Sequence, residues 1–161
     1  MGKKQNKSKW NALECALLIM LAVCLLMGAA ALGRQDRLQQ KMIRLHVVAN
    51  SDSQRDQALK LQVRDKVLAF TENTMRTAAD RQEANRTLRA ALPTIQAMAE
   101  ETLRENGCAD RVETRLEPVE FPLKAYSGFR LPAGEYLALR VLIGKAEGQN
   151  WWCVVYPPLC M

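Results

Sequence analysis

The stretch that most constrains the fold is Asn150–Cys160, which reads NWWCVVYPPLC. Successive side chains of a strand point to opposite faces, so the adjacent tryptophans cannot share an environment. Trp151, Cys153 and Val155 take one face; Trp152, Val154 and Tyr156 take the other. Pro157 and Pro158 then end the strand, because neither has an N–H to give to a ladder. The segment reads either as a last core strand with an apolar exit or as a recognition edge. Cys153 and Cys160 form a candidate disulfide across the exit. Closing so short a loop would contribute about 2.5 kcal/mol on chain-entropy grounds. The extended span between them is about 23 Å, so the proline pair must reverse the chain before the sulfurs can meet.

The other end of the chain carries an address. Ala12–Leu32 is apolar apart from Glu14, and four lysines precede it. A basic start, an apolar run and the small-residue exit Gly28-Ala29-Ala30-Ala31 have the form of an export signal. The same run lies near the lower limit for crossing a bilayer, so an uncleaved anchor is equally consistent. The lysines before the run outnumber Arg34 and Arg37 just after it, which favours an inside N-terminus. We therefore expect residues 1–33 to be a signal peptide or signal anchor that engages the membrane, at least transiently, through residues 12–32. Residues 34–41 would be a polar linker and residues 42–161 an exported domain. Lipid attachment is disfavoured: bulky Val23 precedes Cys24, and Asn6 stands where the myristoylation pattern asks for Ser or Thr.

Charge and cysteine usage remove several functions. Half of the net charge of +6 sits in residues 1–33, and the remainder of the chain mixes both signs. No basic stripe of the kind that tracks nucleic acid is present. The five cysteines show no metal-ligand spacing, Cys108 reads as an unpaired thiol, and His46 is the single histidine. We expect no metal and no cofactor. Gly-rich phosphate loops, HExxH and GxSxG are absent. The one enzymatic arrangement that can be assembled pairs Cys153 with His46, without an orienting third group.

Periodicity places the rest. Met42–Ala49 alternates, with Ile43, Leu45 and Val47 inward and Arg44 and His46 outward, as in a half-buried strand. Asn50-Ser51-Asp52-Ser53 turns the chain, and Ser53 with Asp56 fits a capping box for a helix to about Arg76. Leu59, Val63, Val67 and Phe70 form its apolar stripe, flanked by Leu61, Leu68 and Met75. Asp56 and Lys60 are spaced as a solvated helix pair. Asp80 caps a second helical stretch ending at Gly107, with a kink or a restart at Pro93. Strands follow at Arg111–Pro118, at Glu120–Tyr126 with a bend at Pro122, and at Glu135–Ile143. The last has Leu137, Leu139, Val141 and Ile143 inward, Tyr136 and Arg140 outward. The loop Gly144–Gln149 predicts a hairpin between that strand and Asn150–Tyr156. This order indicates an α+β domain, a mainly antiparallel sheet with two long helical segments on one face.

Taken together, IRLHVVANSDS (Ile43–Ser53), DQALKLQVRDKVL (Asp56–Leu68), FPLK (Phe121–Lys124), PAGEYLALRVLIG (Pro132–Gly144) and NWWCVVYPPLC (Asn150–Cys160) resemble the stage II sporulation protein R family of endospore-forming Firmicutes. The resemblance runs from about residue 40 to the end. It implies a protein made in the forespore and exported across the forespore membrane into the intermembrane space. There it would activate a membrane-embedded aspartic protease of the mother cell, which processes the sigma-E precursor. Such a protein is a signal with no catalysis of its own. Ser127 and Ala146 depart from the family's usual glycines, and His46 from its usual arginine. On this reading Asn50, Ser51, Asp52, Asp56, Lys124, Tyr136, Arg140, Trp151 and Trp152 are candidate contacts with the protease. Two other readings remain: an exported cell-wall glycan-binding module that uses the same aromatics, and a cysteine hydrolase using Cys153.

Overall fold

The computed structural model describes residues 11–126 and 128–159. They form α1 (Ala12–Gln39), β1 (Ile43–Val48), α2 (Gln54–Met75), α3 (Arg81–Glu105), β2 (Val112–Phe121), β3 (Lys124–Tyr126), β4 (Phe129–Leu131), β5 (Gly134–Ile143) and β6 (Asn150–Tyr156). The chain divides into two units, residues 1–37 and 38–161. Within the first, Ala12–Ala30 is long and apolar enough to cross a membrane. The helix runs on through Gln39, so most of the segment expected to be a linker is helical.

The second unit is α+β. Its main sheet has the order β2-β5-β1-β6, with β1 parallel to β5 and the other pairs antiparallel; β3 and β4 form a separate two-stranded sheet. The core lies between one sheet face and the two helices. Ile43, Leu45, Val47, Leu139, Val141 and Val155 meet Leu59, Val63, Val67, Leu88, Ile95 and Leu103 there. Leu61, expected beside the stripe of α2, is 39% exposed instead.

The predicted hairpin between β5 and β6 does not form. β1 lies between them, and the loop from Gly144 crosses the end of β1. There Gly148 N–H donates to Ala49 O at 2.9 Å and Glu147 N–H donates to Asn50 O at 3.2 Å. Space is tight: a Cβ on Gly144 would strike the Asn50 side chain. Ala146 takes φ +54°, the left-handed conformation glycine adopts without penalty. β1 is an interior strand, and all six of its residues are buried, Arg44 and His46 included.

Both helices are capped as their sequences require. Ser53 Oγ accepts from Asp56 N–H at 3.1 Å, and Asp80 Oδ1 accepts from Glu83 N–H at 2.8 Å. At the end of α3, Gly107 at φ +68° lets Cys108 N–H donate to Leu103 O and Gly107 N–H donate to Arg104 O. Pro93 neither restarts the helix nor ends it; α3 is continuous from Arg81 to Glu105. Pro118 lies within β2, longer than expected, and is tolerated because β2 is an edge strand. The strand breaks at Pro122.

Candidate functional site

The register brings one group of functional side chains together on the sheet face opposite the helices. Arg140 stands beside His46, and His46 beside Trp152. Arg44, two residues back on the same side of β1, is fully enclosed. Its guanidinium lies 3.8 Å from the centroid of the Phe121 ring and 4.8 Å from that of Tyr136. Its Nη2 donates to Tyr126 Oη at 2.6 Å, so the β3–β4 pair reaches this end of the face. Cation–ring contact of this kind offsets part of the cost of burying a guanidinium. Burial still pulls the Arg44 pKa below its ordinary value, with Tyr126 and Tyr136 opposing.

His46 is packed among rings, 6.0 Å between centroids from both Phe121 and Trp152. Its Nε2 is 2.7 Å from Asn150 Oδ1. Burial lowers its pKa, Asn150 opposes this, and the charges of Arg140 and Arg44 add to the lowering. Arg140 donates through Nη1 to Glu117 at 2.7 Å. Lys124 Nζ lies 4.4 Å from the Trp152 ring centroid. Among the described residues, four buried atoms on this face have no hydrogen-bond partner: Nε and Nη1 of Arg44, Nδ1 of His46 and Nε of Arg140.

The structure thus joins Lys124, Tyr136, Arg140 and Trp152 and separates the other candidates from them. Tyr136 is only 1% exposed and donates its hydroxyl to Pro132 O at 2.8 Å, so it supports the face from beneath. Trp151 points to the helix side, where Arg64 of α2 lies 4.9 Å from its ring centroid. Asn50 and Ser51 are half-buried and Asp52 is exposed, and all three bond within the chain. Asn50 Nδ2 and Ser51 Oγ donate to Asp56 at 3.0 and 2.6 Å, which holds the Asp56 pKa below its ordinary value. Asn50 Oδ1 accepts from Lys145 N–H, and Asp52 Oδ1 accepts from Gln149 N–H at 2.7 Å. This quartet is a clasp that ties the 144–149 loop to the start of α2. Lys60 joins the clasp instead of pairing with Asp56: it is buried, and donates to Gln149 O at 3.0 Å.

Arg44, Phe121 and Tyr126 were missed by sequence reasoning. The signal was a charged residue set in an otherwise apolar strand, which alternation assigns to solvent unless something covers it. The cysteine–histidine pair is not assembled. Cys153 faces Leu45 on the helix side and His46 lies on the opposite side. Cys153 is disulfide-bonded; its expected partner, Cys160, lies outside the described residues, as does Ser127. Among the described residues no three His, Cys, Asp or Glu side chains are grouped to hold a metal.

Residues 39–161 match the family model described as stage II sporulation protein R. Over 123 residues the chain is 39% identical to the stage II sporulation protein R of Bacillus subtilis (strain 168), covering 76% of this chain and 55% of that protein. The match therefore spans about half the length of that relative. No solved structure matches.

Proposed function

The chain belongs to the stage II sporulation protein R family and to sporulation, and from that premise we propose that it is an exported signal that activates a membrane-embedded protease. Its N-terminal apolar helix carries residues 38–161 across the forespore membrane, as a cleaved signal or as an anchor. In the intermembrane space the domain contacts the aspartic protease of the mother cell, which then shortens the sigma-E precursor. The chain supplies contact and no chemistry.

The observation that carries this reading is the rim of the sheet face opposite the helices, where Lys124, Arg140 and Trp152 stay partly exposed above the buried Arg44 and Tyr136. The cysteine–histidine pair is split between the two faces. Aromatic and arginine side chains in partly desolvated settings dominate protein–protein recognition. Lys124, Arg140 and Trp152 are the contacts, with Tyr136 and Arg44 holding them in place.

The test is to express the full chain with the candidate protease and the sigma precursor, with and without residues 1–33. Shortened sigma is expected only when the chain is present and exported. Equal processing without the chain would refute the reading.

A further inference from the structure

We propose that the outer edge of β6, at Asn150–Trp152, receives an extended segment of the protein partner as an added strand, its apolar side chains set against the two tryptophans. This rests on the activator reading above and specifies how that contact is made.

The main sheet ends in two edges, β2 and β6, and they are built differently. Arg111 O accepts from Gly144 N–H, so odd-numbered residues of β2 face β5 and even-numbered ones face out. On that outer edge Val112 N–H is taken by Glu100 Oε1 at 3.3 Å, and Pro118 has no N–H to offer. Glu113, Arg115, Glu117 and Glu120 add charge along the strand. These are devices by which an edge strand refuses a neighbour. β6, which reads NWWCVVY, carries no charged residue and no proline.

The backbone groups of β6 can be placed. Ala49 O accepts from Gly148 N–H on the β6 side of β1, so Val47 and Leu45 face β6 as well. Their partners Trp151 and Cys153 face back toward β1, and Asn150, Trp152 and Val154 direct N–H and C=O outward. The tail returns over one end of this edge, where Leu159 N–H donates to Val154 O at 3.5 Å. Asn150 and Trp152 remain for a guest. Each offers one donor and one acceptor at the spacing of a single extended strand.

The side chains flanking this edge suit such a guest. Trp151 and Trp152 are half-buried on opposite faces, with Arg64 4.9 Å from one ring centroid and Lys124 4.4 Å from the other. Among the described residues of the second unit, the exposed large apolar side chains are Leu61, Leu123 and Leu159. All three adjoin β6 in the fold. Leu61 shares a face of α2 with Arg64 and follows Lys60, which donates to Gln149 O. Leu123 precedes Lys124, and Leu159 is bonded to Val154. Alternate side chains of an added strand fall on opposite faces, one toward Trp151 and Leu61, the next toward Trp152 and Leu123. A lipid surface has no backbone to extend the ladder, so the guest is polypeptide.

The test follows amide hydrogen exchange of the full chain in detergent, alone and with the mother-cell protease. In the complex, exchange at Asn150 and Trp152 should slow about tenfold or more, while Thr114 and Leu116 on the outer edge of β2 stay unchanged. Trp152→Pro deletes an outward N–H as well as the ring, and should weaken binding about tenfold more than Trp152→Thr, which deletes the ring alone. Where Trp152→Pro does not fold, Leu61→Lys/Leu123→Lys sets charge at two exposed positions beside the edge and should weaken binding about tenfold. A complex that leaves the Asn150 and Trp152 amides exchanging freely would overturn the proposal, as would folded edge variants that bind like the unaltered chain. Protection of the same amides in the chain alone as its concentration rises would assign the edge to a second copy and overturn the assignment to the partner. If the unaltered chain forms no complex with the protease, the activator reading fails first, and this contact with it.

Discussion

On the helix side of the sheet, β1, β5 and β6 present Leu45, Val47, Leu139, Val141 and Val155, closed against α2 and α3. On the other side the same strands present Arg44, His46, Arg140, Tyr136 and Trp152, closed by rings and a small hairpin. Burial of the aliphatic side is favourable in proportion to area, about 25 cal/mol per Å². Burial of the other side is opposed by the desolvation of a guanidinium and an imidazole, and rings offset it only in part. One face holds the domain together. The other holds cations at reduced stability, which is where recognition is expected to reside.

Truncation on the aliphatic side should have the largest effect. Leu139→Ala removes a fully buried side chain and is expected to cost about 2–5 kcal/mol in chemical denaturation of the 38–161 unit. A loss no greater than that of a substitution on the opposite face would break the distinction.

Acid should act through the other face. The His46 pKa is lowered in the folded chain, so at pH above about 6.5 the ring is neutral in both folded and unfolded states and contributes nothing. As pH falls below that value, the unfolded chain takes up a proton that the folded chain refuses. Stability then declines, by at most about 1.4 kcal/mol per pH unit, until the folded ring also protonates. Comparing denaturation curves of the unaltered chain and His46→Gln across this window isolates the term; an identical decline in both would remove His46 as its source.

Arg44→Met should have the smallest effect. It retains bulk between Phe121 and Tyr136 while deleting a buried charge, so stability should change by no more than about 1 kcal/mol or rise. A loss approaching that of Leu139→Ala would show that the guanidinium supports the fold as strongly as the aliphatic core does.

Much of the aliphatic side was legible in the sequence, because alternation and helical period report burial against one partner layer. Leu45, Val63, Leu88 and Leu139 were all read correctly from spacing alone. The opposite face was harder. Arg44, His46 and Tyr136 alternate as solvent-facing residues, and nothing local announces that distant Phe121 and Tyr126 fold over them. The same blind spot hid the strand order. A strand carrying Arg and His reads as half-buried, yet β1 is the central strand between β5 and β6. At Asn50–Asp56 the turn and the helix cap were legible, but not that the same side chains also close on Lys145, Gln149 and each other.

The most direct test of the division between the faces is sigma-precursor processing with the Lys124→Ala/Trp152→Ala variant of the full chain, its fold verified by an unchanged denaturation midpoint. The account predicts that processing is lost while the domain stays folded and exported. Processing at the level of the unaltered chain would contradict it.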